Sequence, residues 1–207
     1  MNCSALFLDI RNFTNTFKIF NEIGKNSFLG FIEDVYKIGL EIANLVIDKK
    51  KEYYISSTGD GFLLLTFGLN NHIDIYLYGL LLYHKMKQHC DSFNKTHTTT
   101  VSFGIGIDTG DVDEIKVENG SHTIKTYLGN VINIAARLEA ETKSHARAKL
   151  IIGTRLNNEL VNDLFKEDYQ GIMDKVKDQN NDQIQILISK MNDLIKSYCY
   201  PIFLNTI

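Results

Sequence analysis

The chain has 207 residues, of which 44% are hydrophobic and 23% are charged. This profile predicts one globular domain over residues 1–207, with a core over about residues 3–165 and an extension over about residues 166–207. The net charge of -3 argues against broad electrostatic attraction to nucleic acid or to a membrane surface. The longest apolar stretch, around Ile75–Tyr83, is too short to span a bilayer.

The three cysteines, Cys3, Cys90 and Cys199, are odd in number and widely spaced. This pattern fits neither a disulfide framework nor a zinc site, so we interpret them as buried or idle thiols. The first ten residues, MNCSALFLDI, lack the basic and apolar regions of a secretion signal. We therefore expect a cytoplasmic protein.

The first third of the chain predicts a strand, helical structure and a hairpin. Ser4–Asp9 is a short apolar run that ends in a carboxylate, as a buried strand would. A long helix up to about Ile47 is predicted from apolar residues at helical spacing, namely Phe28, Ile32, Val35, Ile42 and Val46. Two strands, Tyr53–Ser56 and Phe62–Phe67, flank the turn Thr58-Gly59-Asp60-Gly61.

The rest of the chain alternates between helices and strands. The predicted elements are a helix over Ile73–Cys90, a strand over Thr98–Ile107, a hairpin of Asp111–Val117 and His122–Leu128 around Asn119-Gly120, a helix over Asn130–Thr142, a strand over Lys149–Gly153 and a helix to about Phe165. The order predicts an α+β fold: a ferredoxin-like βαββαβ core with an added β-hairpin and a C-terminal α/β extension. Asp174–Asp182 fits either a loop or the start of a helix.

Two aspartates are candidates for a metal site. Asp9 ends the first strand and Asp60 lies in the following hairpin turn, and these elements are commonly neighbours in a ferredoxin-like sheet. Converging carboxylates there would suit two divalent ions that bridge triphosphate oxygens and an attacking hydroxyl. The alternative is ordinary turn chemistry at Asp60 and a helix cap at Asp9.

Two helices offer further candidates. The amides around Phe13 and Thr14 open a helix and suit a phosphate, although Asn12 or Thr14 as a plain N-cap explains them as well. Asn133 and Arg137 share one helix face and could hold a ribose and a charged phosphate. The alternative for Arg137 is an ion pair with Glu141.

Four stretches together resemble the class III adenylyl and guanylyl cyclases. They occur in the family's order across residues 5 to 153. Two resemble its metal-aspartate motifs, one its central strand with a glycine turn, and one the helix with its transition-state Asn and Arg. The stretches are Phe7-Leu8-Asp9-Ile10-Arg11-Asn12-Phe13-Thr14, Thr58-Gly59-Asp60-Gly61-Phe62, Phe103-Gly104-Ile105-Gly106-Ile107-Asp108-Thr109-Gly110-Asp111-Val112 and Gly129-Asn130-Val131-Ile132-Asn133-Ile134-Ala135-Ala136-Arg137-Leu138-Glu139.

The resemblance implies a role for each matching position. Asp9 and Asp60 would bind two divalent ions, Mn²⁺ or Mg²⁺, with the main-chain carbonyl of Ile10 assisting. The amides of Asn12, Phe13 and Thr14 would hold the β- and γ-phosphates. Asn133 would orient the ribose, and Arg137 would stabilise the transferring phosphate. The aspartates and the Asn/Arg pair of this family meet across a dimer, which implies a homodimer with composite sites.

The positions that read the base depart from the purine-specific pattern. Ser56 stands where adenine- or guanine-selecting members carry Lys or Glu, and Thr126 is the partner position. Tyr53 and Tyr54 add aromatic volume nearby. A smaller base held by hydroxyl groups fits this set. The overall pattern resembles the pyrimidine cyclases of bacterial Pycsar anti-phage systems, whose cyclic UMP or cyclic CMP activates a separate effector protein.

The sequence therefore predicts a metal-dependent cyclase acting on a pyrimidine nucleoside triphosphate, UTP before CTP. The alternatives are an adenylate or guanylate cyclase with an atypical base pocket and a nucleotide-binding domain without turnover. The phosphate-binding lysine of many members has no clear counterpart, and Lys175 and Lys177 are candidates only. No nucleic-acid partner and no membrane span are expected.

Overall fold

A five-stranded sheet is the framework of the protein in the computed structural model, which describes residues 1–23, 26–144 and 149–166. The elements are β1 (Asn2–Arg11), α1 (Phe13–Ile23), α2 (Asn26–Val46), β2 (Tyr53–Ser57), β3 (Phe62–Phe67), α3 (Asn71–Thr96), β4 (Ser102–Asp111), β5 (Asp113–Asn119), β6 (His122–Leu128), α4 (Asn130–Glu141), β7 (Leu150–Ile152) and α5 (Thr154–Lys166). The predicted α+β fold with a ferredoxin-like core and an added hairpin is confirmed.

The strand order β2-β3-β1-β4-β7 places the first strand at the centre of the sheet. Strand β1 pairs antiparallel with both β3 and β4, whereas β7 pairs parallel with β4. Strands β5 and β6 form a separate two-stranded hairpin. The central position of β1 puts Asp9 next to the β2–β3 hairpin, because β3 is the immediate neighbour of β1.

Different elements pack on the two faces of the sheet. Alternate residues of a strand point to opposite faces. Leu6 and Leu8 of β1 are fully buried on the face of α3, where the Cδ1 atoms of Leu6 and Ile107 lie beside Gly79 of that helix. On the other face, Cys3 and Ala5 of β1 belong to a cluster that also contains Leu65 and Phe67 of β3, Val112 just before β5, Tyr127 of β6, and Val131 and Ala135 of α4. The carboxylate of Asp9 lies on this second face.

Helix α4 packs closely on strand β4 because the strand has glycines where the helix crosses it. A Cβ atom at Gly106 would overlap the main chain of Ala135 and Glu139, and one at Gly104 would overlap the side chains of Arg11, Glu139 and Thr142. These glycines allow the close contact of helix and strand. The Gly104-Ile105-Gly106 segment of the strand thus has a packing function in this fold.

Some predicted boundaries were wrong. The stretch before Ile47 holds two helices, α1 and α2, rather than one, and residues 24–25 between them lie outside the description. Helix α3 continues past Cys90 to Thr96, because buried Phe93 extends its apolar face. Strand β4 starts at Ser102 rather than Thr98 and runs to Asp111, since it pairs with β1 along that whole length.

The C-terminal part is described only in part. Residues 1–156 form one compact unit, and residues 157–207 are assigned to a second. The extension from residue 167 onward, the choice between loop and helix over Asp174–Asp182, and both Lys175 and Lys177 lie outside the described residues. The prediction of a single domain with an extension therefore stays a prediction.

Two of the cysteines match their interpretation as buried thiols. Cys3 and Cys90 are free and buried, and burial raises the pKa of each thiol to about 12. Both thiols are therefore protonated at neutral pH and poor nucleophiles. Cys199 lies outside the described residues. Among the helices that the structure describes, none has the length and apolarity needed to cross a membrane.

Gly61 is a position where an added methyl group is expected to destabilise the protein. Its Cβ would overlap the carbonyl of Leu8 and would lie 2.9 Å from the Cα of Asp9. We expect Gly61→Ala to lower the free energy of unfolding by about 1–3 kcal/mol. Gly30→Ala is the control, because that helical position has no atom within 4 Å of the added carbon, and it should be neutral or stabilising by up to about 1 kcal/mol. Urea unfolding measures both, and equal effects would contradict the expectation.

Candidate active site

Asp9 and Asp60 face one another at the end of strand β1. They line a cleft of about 240 Å³ together with Lys143 and the segment from Ile10 to Asn15. The side chain of Asp9 is 27% exposed. Burial and the neighbouring carboxylate of Asp60 raise the pKa of Asp9, and the charges of Arg11 and Lys143 oppose that rise. Two carboxylates held this close repel each other, and cations between them would relieve the repulsion.

The hairpin turn that carries Asp60 is held from helix α2. The hydroxyl oxygen of Tyr36 lies 2.9 Å and 3.0 Å from the carbonyl oxygens of Gly59 and Gly61, and 2.6 Å from Oγ of Ser57. The Thr58 amide also donates to the Gly61 carbonyl. Gly59 has a φ of 102°, a conformation that glycine adopts without strain. These contacts hold the main chain on both sides of Asp60 in place. The turn is therefore anchored to helix α2 by Tyr36, in addition to its own hairpin hydrogen bond.

The start of helix α1 forms one wall of the cleft. Thr16 donates the first intrahelical hydrogen bond to the carbonyl of Asn12 at 3.0 Å, which leaves the amides at the helix start free of intrahelical partners. Asn12 has a φ of 65°, and its side chain donates to the Thr100 carbonyl at 2.9 Å. The Asn12 side-chain oxygen accepts from the side chain of Asn15. Asn12 is therefore no ordinary side-chain N-cap, and Thr14 lies inside the helix.

A buried ion-pair network that the sequence did not reveal lies beside Asp9. The Arg11 guanidinium contacts Oδ2 of Asp9 at 3.3 Å and forms an ion pair with Glu139 of α4. It also donates to the Glu139 carbonyl at 2.6 Å and to Oγ1 of Thr142 at 2.7 Å. Burial raises the pKa of Glu139 to about 7, against the opposing charge of Arg11. The contact of Arg11 with Asp9 could have been predicted from the sequence, because two residues that are two positions apart on a strand have side chains on the same face.

The raised pKa of Glu139 predicts a pH dependence of stability. A carboxyl group with a higher pKa in the folded state stabilises the fold fully below its unfolded value of 4.5, and that stability is lost as the pH rises to about 7. The loss is at most about 3 kcal/mol. Burial raises the pKa of Asp74 and Asp108 in the same direction. Thermal unfolding in EDTA should give a lower melting temperature at pH 8 than at about pH 5.

Glu139→Gln removes the titrating group and is the comparison for this expectation. The variant should lose less stability than the wild type between about pH 5 and pH 8. A wild-type melting temperature that rises across this interval would contradict the assignment, and so would an identical slope in the two proteins.

Asn133 and Arg137 lie on the exposed face of α4, away from the sheet. Glu139, on the opposite face, is buried. The alternative ion pair of Arg137 with Glu141 is not formed, and the Glu141 carboxylate instead accepts a hydrogen bond from Ser144 at 3.2 Å. Neither Asn133 nor Arg137 is among the residues that line the cleft of their own chain. The exposed pair is thus available to a ligand or to another chain.

The candidate base-reading residues are half-buried on strands β2 and β6, which belong to different sheets. Ser56 lies in β2, two residues from Tyr54 and on the same face. The ring of Tyr54 packs edge-on against Tyr127 with centroids 5.0 Å apart, and its hydroxyl donates to the Lys125 carbonyl at 3.4 Å. Thr126 lies between those two residues in β6. The aromatic contact therefore brings the strand of Ser56 beside the strand of Thr126.

The donor set of the cleft fits divalent ions such as magnesium. It offers two carboxylates, and the main chain of Ile10 also lines the cleft while its side chain is 2% exposed in the core. Within the described ranges, no three His, Cys, Asp or Glu side chains are grouped to hold a metal alone. Magnesium is commonly held by one or two carboxylates and completed by substrate phosphates and water. Asp9, Asp60 and the Ile10 carbonyl would hold the metal ions.

Comparisons with known proteins agree with this fold. A family model described as the adenylate and guanylate cyclase catalytic domain matches residues 1–186. No sequence among the curated proteins is similar to the chain. Among solved structures, the adenylyl cyclase CyaB from P. aeruginosa is 19% identical, with a TM-score of 0.61, and the match covers 79% of this chain and 81% of that one.

Two further solved structures have the same fold. One is a class III adenylyl cyclase-like ATP-binding protein from Pseudomonas aeruginosa, 12% identical over 76% of this chain and 34% of that one, with a TM-score of 0.60. The other is a non-canonical dimeric guanylyl cyclase domain from the aquatic fungus Blastocladiella emersonii, 16% identical over 78% and 84%, with a TM-score of 0.57. The family match covers most of the chain, which therefore belongs to the adenylate and guanylate cyclase catalytic domain family.

Proposed function

We propose that the protein is a metal-dependent nucleotidyl cyclase that converts a pyrimidine nucleoside triphosphate, UTP before CTP, to the 3′,5′-cyclic monophosphate and pyrophosphate. The observation that carries the proposal is the pair of carboxylates, Asp9 and Asp60, in one cleft with the start of helix α1. A degenerate nucleotide-binding domain would not need both aspartates together with Asn133 and Arg137. All four are present in this chain.

The reaction balances without a further reactant. The ribose 3′-oxygen forms a bond to the α-phosphorus, the bond from that phosphorus to the α–β bridging oxygen breaks, and pyrophosphate leaves. Metal ions, when bound, lower the pKa of the hydroxyl and neutralise the triphosphate. The amides of Asn12, Phe13 and Thr14 bind the β- and γ-phosphates. The hydroxyl proton passes to solvent, since no side chain stands out as a dedicated general base.

Asn133 and Arg137 act on the substrate of a second copy of the chain. Asn133 orients the ribose, and Arg137 stabilises the charge that develops on the transferring phosphate. Both are exposed, and neither lines the cleft of its own chain. A homodimer with two-fold symmetry would place each pair against the partner's aspartates. Composite sites of this kind account for the separation of the four residues within one chain.

A pyrimidine base is supported by the neutral side chains of Ser56 and Thr126 at the two candidate base-reading positions. Lys125, the cation nearest to Thr126 in sequence, is held by Glu52 at 2.8 Å and by Glu114 at 3.1 Å. Its ammonium group is therefore paired with two carboxylates and does not take the place of the base-reading lysine. The hydroxyl groups of Ser56 and Thr126 suit a small base read by neutral hydrogen bonds. The resemblance to Pycsar cyclases supports a second-messenger role in bacterial anti-phage defence, with a separate effector protein.

Product identification tests the proposal directly. The purified chain is incubated with Mn²⁺ and each of the four nucleoside triphosphates, and the products are identified by mass spectrometry. Cyclic UMP, or cyclic CMP at a lower rate, is the expected result. A cyclic product from ATP or GTP alone would contradict the pyrimidine assignment and identify a purine cyclase with an atypical pocket. An intact dimer that makes no product would contradict cyclase activity and favour nucleotide binding without turnover.

A further inference from the structure

The side chain of Arg11 joins the candidate metal site to helix α4. Strand β1 runs antiparallel to β4, with Asp9 opposite Gly104. A Cβ atom at Gly104 would overlap Nη2 of Arg11. The guanidinium therefore occupies the space that the glycine leaves open. From there it contacts Asp9 on one side and Glu139 and Thr142 on the other.

The contacts of Arg11 are more specific than charge balance requires. The Arg11 side chain is 13% exposed and that of Glu139 is 6% exposed, so both charges are largely removed from water. Nη2 donates to the Glu139 carbonyl and to Oγ1 of Thr142, while Nη1 donates to Oδ2 of Asp9. A planar guanidinium held at several points has a fixed orientation. One oxygen of Asp9 is therefore held in a fixed direction.

We propose that Arg11 and Glu139 form a positioning pair that orients the Asp9 carboxylate toward a divalent cation and joins the metal site to helix α4. This inference rests on the metal assignment of the proposed function. Groups that hydrogen-bond to a metal-ligating carboxylate fix its orientation, and their loss commonly lowers metal affinity about 10–100-fold. Asn133 and Arg137 belong to the same helix as Glu139. Metal binding at Asp9 thus stabilises the helix that presents them.

Metal affinity measured without nucleotide tests the orienting role. Mn²⁺ binding is followed by electron paramagnetic resonance in the full chain. Arg11→Gln should weaken binding about 10–100-fold, and Arg11→Lys should restore only part of it, because one ammonium cannot reach all the partners of a guanidinium. Lys37→Gln is the matched control, since it makes the same charge change in an exposed ion pair on α2. Unchanged affinity in a folded Arg11→Gln protein would overturn the proposal.

Two further variants separate orientation from charge. Gly104→Ala retains Arg11 but displaces its guanidinium, and Glu139→Gln retains the shape of the anchor but removes its charge. Both should weaken Mn²⁺ binding if the orientation of Asp9 matters. If both variants bind Mn²⁺ with wild-type affinity, Arg11 and Glu139 do not position the Asp9 carboxylate. Circular dichroism shows whether each variant is folded.

Hydrogen exchange tests the link to helix α4. Mn²⁺ should slow exchange in peptides covering residues 138–142 of the wild type, and this protection should be absent in Arg11→Gln at a metal concentration that saturates the variant. Equal protection in the two proteins would overturn the link. These readouts do not depend on product formation, so a protein that binds Mn²⁺ but makes no cyclic nucleotide would contradict the proposed function alone.

Discussion

Replacing Asp60 with asparagine is expected to reduce cyclase activity about 1000-fold or more. The substitution preserves the size of the side chain and removes one of the two carboxylates that face each other in the cleft. Metal ions would then have only Asp9 as a charged ligand, and the triphosphate would be poorly neutralised. The fold should be retained, because the turn is held by Tyr36 through main-chain oxygens of Gly59 and Gly61.

Asp91→Asn is the matched control for Asp60→Asn. Asp91 lies in an exposed ion pair on helix α3, so its loss makes the same charge change at small energetic cost. Activity is measured as cyclic nucleotide formed at saturating Mn²⁺ and substrate. Near wild-type activity in Asp60→Asn would refute the metal assignment, and a comparable loss in Asp91→Asn would point to a nonspecific charge effect.

Replacing Arg137 with alanine is expected to lower kcat about 100–1000-fold while KM changes little. Arg137 is exposed and does not line the cleft of its own chain. Its exposure makes a contribution to folding small, and under the proposed function it would act on the charge that develops in the transition state rather than on binding of the ground state. Lys85→Ala, which removes an exposed cation from α3, should leave kcat unchanged. A selective rise in KM would assign Arg137 to substrate binding, and no change would exclude it from the site.

The order of the elements and the approach of the two aspartates were predictable from sequence because local patterns determine them. The two strand-like runs of β2 and β3 on either side of the glycine-rich turn at Asp60 indicate a hairpin, and the βαββαβ order makes β3 a neighbour of β1. Asp9 at the end of β1 then lies beside that turn. Similarly, Asn133 and Arg137 are four residues apart, so both lie on one face of α4 irrespective of how the helix packs.

The contact of Arg11 with Glu139 was not predictable from local patterns. Arg11 and Glu139 are 128 positions apart, and their contact depends on how closely α4 lies on β4. The distance between α4 and β4 is set by Gly104 and Gly106, and the sequence alone does not show that these glycines lie under the helix. The same holds for Lys143, which the end of α4 brings to the rim of the cleft. Local sequence shows which residues share a face, but not which side chains of distant elements meet.

Mixing two inactive variants tests the composite cyclase site most directly. Under the proposed function, Asp60→Asn would lack a metal carboxylate and Arg137→Ala would lack the transition-state cation. In a mixed two-fold dimer one site carries both defects, while the other combines the intact Asp60 of one chain with the intact Arg137 of its partner. After random exchange of subunits, cyclic nucleotide formation should recover to about one quarter of the wild-type rate. An inactive mixture, with mixed dimers demonstrated by mass spectrometry and an active wild type, would contradict a site shared between two copies of the chain.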